Sequence, residues 1–357
     1  MGAAHAGKMW AMTPKISTAL LGYGLAGSVF HAPSLAALDA FSLDVIVTSD
    51  PERQAAARAA HPDTRVVGRG EWAAAGSGVD LVVVATPPAT HIALAQAALE
   101  AGSAVVVDKP FAVTSAEGEA LIAQAKEKGL VLTTYQNRRW DGEYLTLKKL
   151  LADGALGQVR RFESRLERWQ PGIAKEWKAQ ATPADGGGIL YDLGTHLIDQ
   201  ALQLFGPPVR VYGEAAARRP EELSDDDAFV ALEHAGGTIS HLWMNLNAPQ
   251  LGPRLRVLGS GAAFTKHLPD QQEAQLKAGI LPGDPAYGVD PKGNWGVLGR
   301  DGALAPVPTE RGNFTDFYAV LAQALLHGGP APVDPADSVA ALRIIEQVRE
   351  QVRVRLS

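Results

Sequence analysis

The chain predicts an α/β fold that opens with a doubly wound parallel sheet of the Rossmann type over residues 13–136. Three observations carry that expectation. Short apolar runs recur at Ile16–Leu21, Leu43–Val47, Val66–Val67, Leu81–Ala85, Ala104–Val107 and Val131–Thr133. Helix-prone stretches rich in alanine separate them, at Pro51–Ala60, Thr90–Ala101 and Ser115–Lys128. A glycine turn, Gly22-Tyr23-Gly24-Leu25-Ala26-Gly27, closes the first run.

The apolar runs are continuous rather than alternating, as strands buried on both faces require. Strand–helix repetition at this spacing calls for right-handed crossovers and an open sheet. In the glycine turn, Gly22 permits the tight bend, Gly24 lets the backbone approach a pyrophosphate, and Gly27 lets helix and strand pack closely. Free N–H groups and the helix dipole then make an anion site. A glycine turn in this context points to dinucleotide binding.

The end of the second run bears on which dinucleotide. An NAD-selective site places an acidic side chain there, against the ribose 2′-hydroxyl. Here the strand ends in Thr48 and Ser49, with Asp50 next and Arg53 one turn into the following helix. Hydroxyls can donate to a 2′-phosphate and a guanidinium can pair with it. Asp50 reads either as a helix N-cap or as a ribose ligand. The expectation is NADP, with NAD left open.

Composition narrows the function classes. At 357 residues the chain is expected to hold two domains, 13–136 and 137–357, and its 46% hydrophobic content can fill two cores. Thirty-three basic residues against thirty-nine acidic ones leave a net charge of −6, which argues against a nucleic-acid partner. There is no cysteine, so disulfides, thiolate catalysis and cysteine-ligated metal centres are excluded. No window of 18 residues is apolar throughout, so no membrane span is expected and a cytoplasmic location is. Residues 1–12 read as a leader, with Met12 as an alternative start.

Two stretches carry chemistry. Asp108-Lys109-Pro110 follows the fifth run, at the carboxyl edge of the sheet where ligands of open α/β sheets bind. Gly186-Gly187-Gly188 leads into a helix-like segment in which Asp192, His196 and Asp199 fall at i, i+4 and i+7, on one face. Such an Asp/His pair is also an ordinary helix salt bridge. No third and fourth ligand cluster nearby, and no metal is expected.

At these residues the chain resembles the Gfo/Idh/MocA family of NAD(P)-dependent sugar and cyclitol oxidoreductases. The carriers are the Gly22–Gly27 loop with Phe30-His31-Ala32-Pro33, then Ala85-Thr86-Pro87-Pro88 with His91, Asp108-Lys109-Pro110, and Gly187-Gly188-Ile189-Leu190 followed by Asp192, Gly194 and His196. Gln136-Asn137-Arg138-Arg139-Trp140-Asp141, Phe162-Glu163-Ser164-Arg165 and Pro282-Gly283-Asp284-Pro285 are similar to the branch containing NADP-dependent scyllo-inositol dehydrogenases. Asp108 stands where many members carry Glu, and the charge is kept.

The resemblance implies a C-terminal α/β domain on an open, mostly antiparallel sheet. Val159–Arg168, Val209–Gly213, Ala228–Glu233, Thr238–Asn247, Arg254–Gly259 and Ala262–His267 can supply its strands, and residues 314–327 and 336–353 its closing helices. It further implies a homodimer or homotetramer through that sheet. The expected cofactor contacts are Gly22, Gly24, Leu25, Ala26, Gly27, Thr48, Ser49, Arg53, Thr86, Pro87, His91, Lys109 and Gln136.

The expected reaction is oxidation of a secondary hydroxyl on a polyol or sugar. His196 is the natural base, because imidazole titrates near neutrality. Lys109 can set an ammonium against the developing alkoxide, and Asp192 can hold it or His196 in place. Glu163, Arg165 and Trp169 are further candidates for polyol contacts. Gly279–Gly302, rich in Gly and Pro, reads as a loop with Trp295 as a lid or stacking residue, or simply as a packed surface loop. A cofactor-binding sensor subunit without activity should have lost one of Lys109, Asp192 and His196, and all three are present. An aldose or trans-dihydrodiol substrate stays open.

Overall fold

The computed structural model describes residues 15–72, 78–173, 180–220 and 222–356. The expected leader at residues 1–12 lies outside them. Six parallel strands form the first sheet: β1 (Ile16–Leu21), β2 (Phe41–Val47), β3 (Arg65–Val67), β4 (Leu81–Val84), β5 (Ala104–Asp108) and β6 (Leu132–Tyr135), in the order β3-β2-β1-β4-β5-β6. The chain reverses direction across the sheet between β1 and β4, and that switch point opens a crevice at the carboxyl ends of the strands.

Alternate residues of these strands enter two different cores. Leu20, Ile46, Leu81, Val83 and Val106 pack with Phe317, Tyr318 and Leu321 of the helix Thr315–His327. Leu21, Val47, Val82, Val84, Val105 and Val107 face the other way, toward the helices His91–Glu100 and Ser115–Lys128 and the long helix Pro335–Leu356. Both faces are covered, as the continuous apolar runs require. One cover comes from the far end of the chain, so the C-terminal helices pack back on the first sheet.

The second sheet has eight strands, in the order β14-β13-β12-β11-β7-β10-β9-β8. They are β7 (Val159–Glu167), β8 (Pro208–Ala216), β9 (Asp227–His234), β10 (Ile239–Asn245), β11 (Leu255–Gly259), β12 (Ala263–Lys266), β13 (Gly296–Arg300) and β14 (Ala303–Val307). Only the β7–β10 pairing is parallel. One face is covered by the helix Thr195–Phe205, with Phe162 against Phe205. The stretch expected as loop at Gly279–Gly302 is loop only in part. Its last residues form β13, which hairpins into β14 through the Asp301-Gly302 turn.

Candidate active site

The glycine turn sits at the end of β1, at the switch point. Gly22 has φ +98°, and a Cβ there would stand 2.3 Å from the Ala85 carbonyl oxygen of the neighbouring β4 loop. A Cβ on Gly27 would come within 2.0 Å of the Gly22 carbonyl oxygen. Packing demands glycine at both positions. Gly24 differs: a Cβ there would meet only the Arg53 guanidinium, at 3.8 Å. The space before Gly24 is therefore open at a helix start, as a dinucleotide pyrophosphate needs. Leu25 is exposed beside it, and the helix begins with a π turn over Ala26–His31.

The β2 end completes this cradle. Asp50 caps the next helix, its carboxylate accepting the Arg53 N–H at 3.0 Å, and Arg53 lies over the glycine loop with its guanidinium 3.6 Å from the same carboxylate. Thr48 is buried, and the Ser49 hydroxyl oxygen accepts the Arg69 N–H. The donor set is two hydroxyls and a guanidinium, and the Asp50 carboxylate is engaged as the helix cap. These residues fit the adenosine ribose of a dinucleotide.

On the β4 side, Thr86 and Thr90 share a hydroxyl contact of 2.7 Å and Pro87 is exposed. His91, expected to touch cofactor, is placed otherwise. Its ring nitrogens each lie 2.8 Å from a carbonyl oxygen, one of Pro110 and one of Thr86, so the buried ring ties two loops together.

Lys109 and the Asp192 segment meet across the crevice. The Lys109 ammonium donates to the Asp192 carboxylate at 2.7 Å and to the Asp192 carbonyl at 2.8 Å. Asp192 belongs to a π turn, Leu190–Gly194, that runs straight into the helix Thr195–Phe205. Asp225 fixes the start of that turn: its carboxylate accepts the Leu190 N–H, and Arg349 grips the same carboxylate at 2.9 Å.

His196 is buried one turn on. Its Nδ1 lies 3.0 Å from the Gln136 amide oxygen, while the Gln136 amide nitrogen is directed to the Thr195 carbonyl. The proton therefore sits on Nδ1 and Nε2 keeps its lone pair. Burial, then the positive charges of Lys109 and Arg138, hold the imidazole well below its ordinary pKa, although Asp192 pulls the other way. The ring is neutral at physiological pH and ready to take a proton.

Asp199 does not join this group. Arg139 binds its carboxylate through two hydrogen bonds, at 2.6 and 2.9 Å, behind the helix. Gln136, expected at the cofactor, is the hydrogen-bond partner of His196. Also behind the site lies a buried ionic cluster. Arg254 stands 3.1 Å from Glu143, Arg138 donates to Asp141 at 3.2 Å, and Asp270 accepts the Gly142 N–H. Burial and Glu143 push the Asp270 carboxyl up to about 6.

Glu163 and Arg165 are not brought to the crevice. On β7 the alternate residues Phe162, Ser164 and Leu166 are buried toward the helix layer, so Glu163 and Arg165 project from the opposite face. There Glu163 pairs with Arg165 and Arg256, and the Arg165 guanidinium lies 3.8 Å over the Trp243 ring. Trp169 follows β7, more than half exposed, in a backbone bridge with Asn247. Trp295 donates its indole N–H to the Asp290 carbonyl beside the buried Lys266–Asp290 ion pair, just before β13. Among the described residues, no cluster of three or more His, Asp or Glu side chains could hold a metal, and no helix is long and apolar enough to cross a membrane.

Comparison with known proteins gives this arrangement a family. Residues 16–136 match the oxidoreductase family with an NAD-binding Rossmann fold, and residues 144–265 match the GFO/IDH/MocA C-terminal domain. The chain belongs to the Gfo/Idh/MocA family. It is 35% identical over 339 residues to the scyllo-inositol 2-dehydrogenase (NADP(+)) IolW of Bacillus subtilis, covering 94% of this chain and 93% of that one. It is 38% identical to the oxidoreductase YdgJ of Escherichia coli, covering 96% and 98%. The solved structure of the oxidoreductase yvaA from Bacillus subtilis superposes with a TM-score of 0.87 at 34% identity, over 96% of this chain and 98% of that one. Like its dehydrogenase relatives in the Gfo/Idh/MocA family, the chain is an NAD(P)-dependent dehydrogenase.

Proposed function

We propose that this dehydrogenase transfers a hydride between NADP(H) and a secondary hydroxyl or ketone of a cyclitol or sugar polyol. The observation that carries the reading is the convergence, at the sheet's carboxyl edge, of the Lys109–Asp192 ion pair with a buried His196 whose Nε2 is free of a proton. The bound nicotinamide supplies the hydride chemistry, and the protein's own groups manage the proton and the charge. His196 Nε2 takes the hydroxyl proton. The Lys109 ammonium offsets the negative charge that grows on the oxygen, and Asp192 keeps that ammonium aimed. The backbone N–H groups of Gly24 to Gly27 hold the pyrophosphate. Thr48, Ser49 and Arg53 meet the 2′-phosphate, a preference in line with the NADP-dependent relative IolW.

The same reading includes a homo-oligomer, dimer or tetramer, joined through the uncovered face of the second sheet. Tyr212, Phe229 and Trp243 form a row of ring contacts there, and light scattering reports the mass.

Fluorescence titration with NADPH and NADH, followed by turnover on inositols, inososes, aldoses and trans-dihydrodiols, tests the proposal. NADPH is expected to bind at least about tenfold tighter, as one charge-assisted phosphate contact provides. Inositols and their ketones should give the highest kcat/KM. Tighter NADH binding overturns the cofactor assignment, and a preference for aldoses or dihydrodiols overturns the substrate.

A further inference from the structure

The Phe30-His31-Ala32-Pro33 stretch leads out of the glycine loop, and the reaction as derived gives His31 no task. The side chain is fully buried. Its Nδ1 lies 2.6 Å from the Tyr318 hydroxyl, and the Tyr135 ring packs against it with centroids 4.2 Å apart. Nε2 has no hydrogen-bond partner, and 3.9 Å from it stands Oδ2 of Asp108. The other carboxylate oxygen of Asp108 accepts the backbone N–H of Lys109 at 2.8 Å.

Asp108 and Tyr318 set the tautomer. The Tyr318 hydroxyl is buried among aromatic rings, and burial holds the phenol firmly protonated. With the Asp108 carboxylate 3.9 Å from Nε2, the proton of the imidazole is best held there, and the phenol then donates to Nδ1. Burial alone would push the Asp108 carboxyl up, but His31 and Lys109 outweigh it and hold the group below the usual carboxylate range. Asp108 is thus an anion between a ring N–H and a main-chain N–H.

We propose that His31 is a positioning residue for Lys109. Tyr318 orients the imidazole, the imidazole anchors Asp108, and the anchored carboxylate fixes the main chain from which Lys109 reaches Asp192 and the reacting oxygen. Because His31 ends the turn that the glycine loop begins, the chain Tyr318–His31–Asp108 braces the cofactor loop and the lysine loop against each other. The inference rests on Lys109 acting as the alkoxide partner.

Two substitutions separate positioning from space-filling. A glutamine amide reaches the place of Nε2 and keeps a donor toward Asp108, whereas an asparagine amide reaches only the place of Nδ1. His31→Asn should lower kcat at least about tenfold with KM for NADPH within about twofold, as a small misplacement of a catalytic group does. His31→Gln should rescue kcat to within about threefold of wild type. On cofactor-free protein, amide exchange in peptide 104–112 should quicken at least about tenfold in His31→Asn, stay slow in His31→Gln, and be unchanged elsewhere. Tyr318→Phe, which keeps the ring and loses the hydroxyl, should move both readouts the same way and serves if His31→Asn does not fold.

Equal behaviour of the Asn and Gln variants, or faster exchange spread over the whole chain, overturns the proposal. Wild-type protein that turns over no polyol while exchange changes as stated refutes the reaction and leaves the positioning role standing. Polyol turnover with unchanged exchange refutes the positioning role alone.

Discussion

Nδ1 of His196 stands 3.0 Å from the amide oxygen of Gln136, and this contact decides which imidazole nitrogen can act as the base. Gln136 follows the last strand of the first sheet, while His196 lies on the helix that covers the second. The contact therefore spans the crevice between the two halves. A carboxylate in place of the amide would stabilise the imidazolium, since an opposite charge within hydrogen-bond reach raises a histidine pKa by about one unit or more. Gln136→Glu should move the acid limb of the kcat/KM profile to higher pH by that amount, and Gln136→Leu should cost about 10–10² in kcat without moving NADPH affinity. A pH–rate series on the three proteins checks both.

Lys109 and His196 serve the same proton and the same oxygen. Lys109→Ala and His196→Ala should each lower kcat by about 10²-fold or more, while a double variant is little worse than either. Cofactor titration should be nearly unchanged in His196→Ala. If His196→Ala keeps turnover across roughly pH 6 to 9, another group is the base.

The glycine turn separates structural from ligand demands. Gly22→Ala forces a Cβ into the Ala85 carbonyl at positive φ and should lower Tm sharply. Gly24→Ala meets no backbone and should leave Tm nearly unchanged while weakening NADPH binding. Thermal melts beside fluorescence titrations distinguish the two.

Arg53 is half exposed and its neighbour Asp50 offers it only a loose pairing at 3.6 Å. A charge-assisted phosphate contact contributes about 1.5–3 kcal/mol, roughly tenfold to a hundredfold in affinity. Arg53→Ala should lose that factor for NADPH and little for NADH. An unchanged preference would place the phosphate elsewhere.

The buried cluster behind the site makes stability depend on pH. Asp270 titrates near 6 in the folded protein and near 4 when unfolded, so the folded state binds the extra proton between those values. Its contribution is complete below about pH 4 and is lost as pH rises through about 6. Urea midpoints from pH 5 to 7.5 should fall for wild type relative to Asp270→Asn, by the equivalent of about 1–1.5 kcal/mol over the range. Buried His196 acts oppositely. Its depressed pKa gives stability that is present above about 6.5 and lost in acid, which is why the variant comparison is needed.

The first sheet was legible because strands buried on both faces cannot hide: each appears as an unbroken apolar run. Lys109 and Asp192 were legible because each follows a recognisable element, a strand end and a glycine-led helix. Gln136 with His196 was not, since the pairing depends on how two domains meet, 60 residues apart in the chain. Asp199 was misplaced by counting helix turns, while Arg139 draws it behind the helix. Glu163 and Arg165 were misassigned although their period of two, against Phe162, Ser164 and Leu166, already sends them to the other face. The hairpin at β13 and β14 was masked by its glycines and by Pro306, residues that ordinarily signal loop.

The helix Thr315–His327 has a consequence for how the protein is made. Part of one face of the first sheet is sealed by Phe317, Tyr318 and Leu321, and the Thr133 hydroxyl donates to the Val333 carbonyl 200 residues downstream. During translation at about 5–20 residues per second, roughly 10–40 s separate emergence of the sheet from arrival of its cover. Throughout that interval the nascent chain presents Leu20, Leu81 and Val83 without their final neighbours. The sheet therefore completes its packing only once Thr315–His327 has emerged, long after its own strands.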